Sequence, residues 1–447
     1  MTSTTVPSAM SMLAQAEAMI EVWQERFGPV ARHPASEADA ARLAAAWEAF
    51  SQRMADHYPF FHPRFAGQML KPPHPVAAAG YLAAMLINPN NHALDGGPGT
   101  SALEVEVVEQ LAAMFGLAAP SLGHLTSSGT IANLEALWVA RELSGGQAVV
   151  HSAGAHYTHG RMCGVLGVEA RAVATDARGR IDLDAVEAEL RRGGVGTVVL
   201  TAGTTGLGAI DDVAGALALR ERYGVRLLVD AAYGGFYALL DLLGPVGACD
   251  SIVVDPHKHG LQPYGCGAVL FADPAVGRLY KHDSPYTYFS SDELHLGEIS
   301  LECSRAGAAA AALWLTLQVF PLAADDGFGP LLRACRAAAL DLAGRLRDDD
   351  RLALVVEPEL DIVCYHPRRD TLSAVDAASV AMLEAGMADP DDPVYLSTLG
   401  LDAVMFDPAI ARDADSARVL RSVLMKPEHE PAVGWLHERL RARAAAA

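Results

Sequence analysis

The chain has 447 residues, 51% of them apolar and 20% charged, with a formal net charge of −20 at neutral pH. That length exceeds one small core and points to roughly two or three folding units, and the apolar fraction excludes a disordered chain. The acidic balance argues against nucleic acid and membrane surfaces as partners, while a local basic pocket stays compatible with it.

Six cysteines (Cys163, Cys249, Cys266, Cys303, Cys335 and Cys364) show no CxxC spacing. Free thiols in a reducing cytoplasm are the simplest account. No basic segment followed by an apolar run opens the chain, so no secretory signal is expected.

Apolar spacing predicts helices over Ala14–Phe27 and Glu37–His57. An irregular aromatic stretch from Tyr58 to Gly67 follows. Residues 1–75 are too few for a domain of their own and are expected to pack on the rest of the chain or on a second subunit. Val76–Leu86 reads as a helix. The Asn- and Gly-rich turn Asn88–Gly99 suits a pocket wall or a plain connector. Thr100 or Ser101 is placed to cap a helix over Ala102–Phe115.

His124-Leu-Thr-Ser-Ser-Gly-Thr130 leads into a helix over Ile131–Leu143. Unpaired backbone N–H groups and the helix dipole make such a start a site for phosphate. An ordinary N-cap is the commoner use of these residues. The run of four hydroxyls around one glycine favours phosphate.

Strand-like runs then alternate with helical ones. Ala148–His151, Val195–Thr201, Arg226–Asp230 and Ser251–Asp255 read as strands, with helices over Leu183–Arg191 and Val213–Tyr223. Continuous Val/Leu runs between helices mark a mostly parallel α/β sheet. Ligands of such sheets sit at the carboxyl ends of the strands, where His156, Thr204-Thr205, Asp230 and Lys258 fall.

After Ala268–Phe271, the segment Asp273–Leu296 shows little periodicity and carries Tyr280, Tyr286 and Tyr288. A loop that long is usually functional. Ala306–Ala324 carries no charge and passes a crude membrane-length test. Gln318 and Pro321 make it a buried helix instead. The remainder reads as helix, strand, strand, helix over Leu331–Arg347, Leu352–Val356, Ile362–His366 and Val375–Ala385. The expected organisation is an N-terminal helical segment 1–75, a large domain 76–325 and a small α+β domain 326–447.

The chain has only four lysines: Lys71, Lys258, Lys281 and Lys426. Arginine carries the remaining positive charge, so a lysine just past a buried strand asks for a reason. An amine can lose its proton and attack a carbonyl, which a guanidinium cannot. A phosphate-binding helix start, a strand-end aspartate and a strand-end lysine together suit pyridoxal phosphate. His156 and His159 sit three apart, but no third ligand has suitable spacing. No metal is expected, and His159 is expected to be solvated.

The motifs also resemble a known family. They are Asn88-Pro-Asn-Asn91, Gly123–Leu137, Ala155-His156, Gly203-Thr-Thr205, Val229–Gly235, Asp255-Pro-His-Lys258 and Cys303–Gly307. In this order they resemble the group II pyridoxal-phosphate amino-acid decarboxylases of fold type I, closest to the tyrosine-decarboxylase-like branch. The likeness runs from about His62 to about Gln318.

The resemblance implies α-decarboxylation of an L-amino acid with an aromatic, tyrosine-like or polar side chain, in a homodimer with sites at the interface. It makes Lys258 the lysine that carries the cofactor and Asp230 the partner of the ring nitrogen. Ala232 and His156 would lie on the two ring faces. Ser128, Gly129 and Thr130 would hold the phosphate. Thr205 would lie on the ring's hydroxyl side, and His257 would meet phosphate or substrate. Tyr286 would return a proton to Cα, with Tyr288 a rival, and Asn90 and His92 would line the substrate pocket. The chain departs from the family's habit at His259, at Asp255 and at His92. An aminotransferase, an aldolase or an oxidative deaminase would use the same cofactor residues, and so would a catalytically dead partner retain their fold.

Overall fold

A computed structural model describes residues 8–281 and 300–446. The chain opens with α1 (Ala9–Glu25), α2 (Ala40–Met54), α3 (Pro75–Met85) and α4 (Pro98–Met114). β1 (Leu122–Thr126), α5 (Gly129–Ser144), β2 (Ala148–Ser152), α6 (Thr158–Leu166) and β3 (Ala170–Val173) follow. Next come α7 (Leu183–Arg192), β4 (Val195–Thr201), α8 (Val213–Tyr223), β5 (Arg226–Asp230), β6 (Ser251–Val254), β7 (Gly267–Phe271) and the short α9 (Gly277–Tyr280). The last part holds α10 (Gly307–Val319), α11 (Phe328–Arg347), β8 (Leu352–Leu354), β9 (Ile362–Pro367), α12 (Leu372–Ala388), β10 (Ser397–Asp402), β11 (Ser416–Val423) and α13 (Val433–Ala446).

Seven strands form one sheet in the order β1-β7-β6-β5-β4-β2-β3. From β3 to β6 every pairing is parallel, and β7 runs antiparallel to both β6 and β1. β4, β6 and β7 are buried along their whole length. Their continuous Val/Leu runs follow from that: a strand covered on both faces has no polar side. Four antiparallel strands form a second sheet in the order β10-β11-β9-β8. The apolar core does not stop between the sheets. Val198, Leu200 and Val229 share one cluster with Leu360, Ile362 and Val419.

Several elements were not legible in the sequence. β1 carries Gly123 and His124 in a turn-like run, yet it is fully buried against β7. Long-range pairing overrides its weak local propensity. α6 and β3 are short, and the mostly exposed β3 has little apolar pattern. β10, β11 and α13 were also unforeseen, α13 because its alanines read as a featureless tail. α4 begins at Pro98, earlier than expected, with no side-chain cap. The Thr100 hydroxyl instead donates to Asn91 Oδ1 at 2.6 Å.

One buried ion pair holds the turn before α4. Glu104 Oε1 accepts from Arg305 Nη1 at 2.5 Å and from Leu125 N at 3.0 Å, and its Oε2 accepts from Asn91 Nδ2 at 2.6 Å. Arg305 also donates to the Leu125 and Asn91 carbonyls. α4, β1 and the Asn-rich turn thus meet at one carboxylate. Truncating Arg305 leaves a buried anion unpaired, which costs about 3–5 kcal/mol. Arg305→Met should lower the urea midpoint accordingly, and an unchanged midpoint would show that the pair does not hold this turn.

Candidate active site

Parallel pairing aligns the strand ends. Thr201 at the end of β4 lies opposite Asp230 at the end of β5, and Asp230 lies opposite Val253 of β6. The turns that follow β5 and β6 therefore face one edge. α5 starts at the same edge with Ser128 as its cap, the hydroxyl accepting from Ile131 N. Its first N–H groups, at Gly129 and Thr130, belong to the set that a helix start leaves unpaired. A side chain at position 129 would begin 2.6 Å from Asp255 Oδ2, so only glycine lets this helix start approach the Asp255 turn so closely.

These elements enclose a cavity of about 250 Å³. Ser128, Gly129, Thr130, His156, Thr205, Asp230, Ala232, His257 and Lys258 all line it, as do Asn133, Tyr157, Thr201, Tyr233 and Asp255. Every cofactor residue expected from the sequence is in that set.

Asp230 is buried at the cavity wall. Burial alone would raise its carboxyl, but it is held down at about 2. The opposing causes are the His159 ring, whose Nε2 lies 2.9 Å from Oδ2, the charges of His159 and Lys258, and the Ala232 N–H. Lys258 Nζ lies 3.2 Å from Asp255 Oδ2, and its side chain is 21% exposed. It is thus paired yet open to the cavity. His156 Nδ1 is 2.7 Å from the Thr158 hydroxyl, and its ring lies against Tyr157, tilted by 33° with centroids 4.2 Å apart. Burial lowers the pKa of His156, and Asp230 opposes this. Burial likewise lowers His257, against the pull of Asp255. The Nδ1 of His257 and the Oδ1 of Asp255 are buried with no protein partner.

Some expectations need correcting. His159 is fully buried and pairs with Asp230, and it is not a solvated residue. It is the second residue of α6, whose first turn brings it to the end of β5, while His156 lies just before the helix. The single chain does not bring Asn90 and His92 to the cavity. Asn90 Oδ1 accepts from His92 N and Arg305 N while its amide donates to Ser304, so the side chain is used within the turn. The His92 ring lies against Gly96 of the same turn. Tyr286 and Tyr288 lie outside the described residues. No cluster of metal-ligating side chains occurs among the described residues.

Sequence reasoning missed Arg421. It lies on β11, is 9% exposed, and its Nε has no partner. Among the described residues no carboxylate pairs with it. It lines a second cavity, of about 540 Å³, that shares His156, Tyr157 and Thr205 with the first. Its only local signal was an arginine in the middle of a buried strand, and that strand was itself unforeseen.

Residues 57–368 match the family model of the pyridoxal-dependent decarboxylase conserved domain. Among curated relatives, a probable L-tyrosine/L-aspartate decarboxylase of Methanothermobacter thermautotrophicus is 31% identical over 322 residues, covering 68% of this chain and 83% of that protein. A probable L-aspartate decarboxylase of Halobacterium salinarum is 32% identical over 309 residues, covering 67% and 82%. The crystal structure of mouse CSAD superposes with a TM-score of 0.80 at 22% identity, covering 95% of this chain and 91% of that one. Oryza sativa TDC, solved with PLP and tryptamine, gives 0.79 at 20% identity, covering 100% and 99%. Those two structures establish the fold, which is fold type I.

The cavity suits pyridoxal phosphate on its own chemistry. Hydroxyls and helix-start N–H groups answer a phosphate, a buried ionised Asp230 answers a protonated ring nitrogen, and an accessible amine answers an aldehyde. With a model match across well over half its length and relatives at this level of identity, the chain belongs to the pyridoxal-dependent decarboxylase family and is a pyridoxal-phosphate-dependent carboxy-lyase.

Proposed function

We propose that the enzyme removes the α-carboxyl of an L-amino acid with an aromatic, tyrosine-like or acidic side chain, using Lys258 to carry the cofactor. One observation carries this reading: Lys258, Asp230 and the start of α5 open on a single cavity. Pyridoxal phosphate, when bound, supplies an electron sink for charge left at Cα. Ser128, Gly129 and Thr130 take its phosphate. Asp230, ionised at working pH, keeps a proton on the ring nitrogen. His156 and Ala232 would flank the ring, Thr205 would lie toward its hydroxyl, and His257 would meet phosphate or substrate. Arg421 is a buried cation that meets no carboxylate among the described residues, and it takes a carboxylate of the substrate. Tyr286 returns the proton to Cα, with Lys258 as the alternative donor.

The names of the relatives put L-tyrosine and L-aspartate at the head of a substrate panel. Borohydride reduction of the yellow enzyme should fix the cofactor on Lys258. The unreduced enzyme should release CO2 and amine in equal amounts from at least one panel member. An adduct on another lysine, or keto acid or aldehyde in place of amine, rejects the reading.

Two variants separate ring chemistry from substrate binding. Asp230→Asn should retain cofactor yet lower kcat on the order of 10²–10³-fold, the scale of one lost electrostatic partner. Arg421→Met should raise KM about 10–100-fold, the worth of a hydrogen bond to a charge, with kcat changed less. Equal losses of kcat and KM in both variants contradict these roles.

The reading extends to assembly and location. α2 buries none of its residues in the single chain, and Leu43, Trp47, Phe50 and Met54 stand exposed on it at helical spacing. Apolar faces of that kind are covered by partners. The N-terminal segment is proposed to pack on a second copy, so that the sites of a homodimer lie at the interface. Free cysteines, five of the six buried, support a cytoplasmic enzyme. No helix among the described residues is long and apolar enough to cross a membrane. Sedimentation of the active enzyme should give twice the chain mass, and Trp47→Glu with Phe50→Glu should shift it toward monomer. A fully active monomer would exclude this assembly.

A further inference from the structure

Beside the cofactor cavity lies a buried polar cluster to which no role has yet been given. Asp361 immediately precedes β9 and has no exposed side-chain surface. Its Oδ1 accepts from the Tyr233 hydroxyl at 2.6 Å. Its Oδ2 lies 3.2 Å from His259 Nε2, in contact but not aligned as a full hydrogen bond. The His259 ring is held edge-to-face by Tyr233 at 4.8 Å and Tyr237 at 5.2 Å.

The chain positions of these partners matter. His259 follows Lys258, and Tyr233 stands three residues after Asp230 and lines the cofactor cavity. One carboxylate of the four-stranded unit therefore touches both turns that carry the cofactor's polar partners. The Lys258 turn is otherwise tight. Gly260 leaves no room for a side chain against Phe236 and Pro256, and Leu261 has φ of 66°. A turn so constrained transmits the position of His259 to Lys258.

We propose that Asp361, His259 and Tyr233 are positioning residues, a latch that clamps the Lys258 turn and the Asp230 turn to β9 and so keeps the Lys258 amine against Asp255.

The surroundings suit a latch of low charge. Burial, with Lys71 and Lys258 nearby, keeps His259 well below the usual imidazole range. Burial lifts Asp361 to about 6, opposed by the Tyr233 and Tyr237 hydroxyls and by Lys71. Cys335 of α11 borders the same cluster. The groups that face Lys258 itself are Asp255 and His257 on its own turn, Asp230 at the end of β5, and His156 before α6. Loss of the latch lets the amine drift from Asp255, and an amine freed from its carboxylate partner is open to attack on an acylating reagent.

This inference rests on Lys258 as cofactor carrier, and its test is independent of the cofactor. The full-length protein is stripped of cofactor and labelled with trace acetic anhydride at one fixed pH, with Lys258 read by peptide mass and exposed Lys281 as internal reference. His259→Phe and Asp361→Asn should each raise the labelling rate of Lys258 relative to Lys281 about threefold or more, and the double variant should go no further. Tyr233→Phe removes one hydroxyl only, and serves if a larger change prevents folding. It should raise the relative rate in the same direction. Relative rates equal to wild type, whatever happens to thermal stability, overturn the latch. Borohydride trapping separately decides whether Lys258 carries the cofactor, so the two readings fail by different measurements.

Discussion

A carboxylate at the end of a buried strand is the constraint on which this site depends. Asp230 sits where burial favours its neutral form, and a neutral acid could not hold a proton on a ring nitrogen. His159 at 2.9 Å, the Lys258 charge and the Ala232 N–H reverse that preference. Much of the neighbouring architecture serves this reversal. α6 must start where it does so that its first turn delivers His159 to the carboxylate while His156, just before the helix, faces the cavity. The Lys258 turn must lie across the opening so that its charge is felt there.

Close backbone approach is the second requirement. Asp255 lies between the start of α5 and the start of β7. A side chain on Gly267 would begin 2.6 Å from the Ser128 carbonyl carbon and 3.0 Å from Asp255 Oδ1. With glycine at both 129 and 267, the start of α5 and the lysine's carboxylate partner share one wall. Ser128, Thr130, Asp255 and Lys258 then act on the same small volume, although β2 to β6 separate them in sequence.

The four-stranded sheet completes what the seven-stranded sheet begins. Its strands share the apolar core of the larger unit, so the two cannot shift freely against each other. It contributes Arg421, a buried cation with no carboxylate to meet among the described residues, to the cavity that adjoins the Lys258 cavity. It also contributes Asp361, which meets the turns after β5 and β6 from outside. An aspartate lifted toward neutrality and a partnerless arginine are costly in a core. Their cost is consistent with use at a site.

By itself the sequence determined the class of fold and the types of chemistry. Val/Leu runs between amphipathic helices announced a mostly parallel sheet, and such a sheet places its ligands at the strand ends whatever its other details. A lone lysine, an aspartate and a hydroxyl-rich helix start named the cofactor, and the order of seven motifs named the family. Those signals are local: each is written in a few adjacent residues. What only the tertiary structure decided is which charges meet. His159 looked like surface until α6 folded it onto Asp230. β1 showed no strand pattern until β7 paired with it, and the Asn-rich turn, a pocket wall or a connector by sequence, is tied in the single chain through Asn90 to Arg305 and Ser304. Arg421 and Asp361 gave no sign of reaching the cofactor residues. The reason is physical: periodicity reports which face of an element is buried, whereas ion pairs form between elements far apart in the chain, as between Glu104 and Arg305 at a separation of 201 residues.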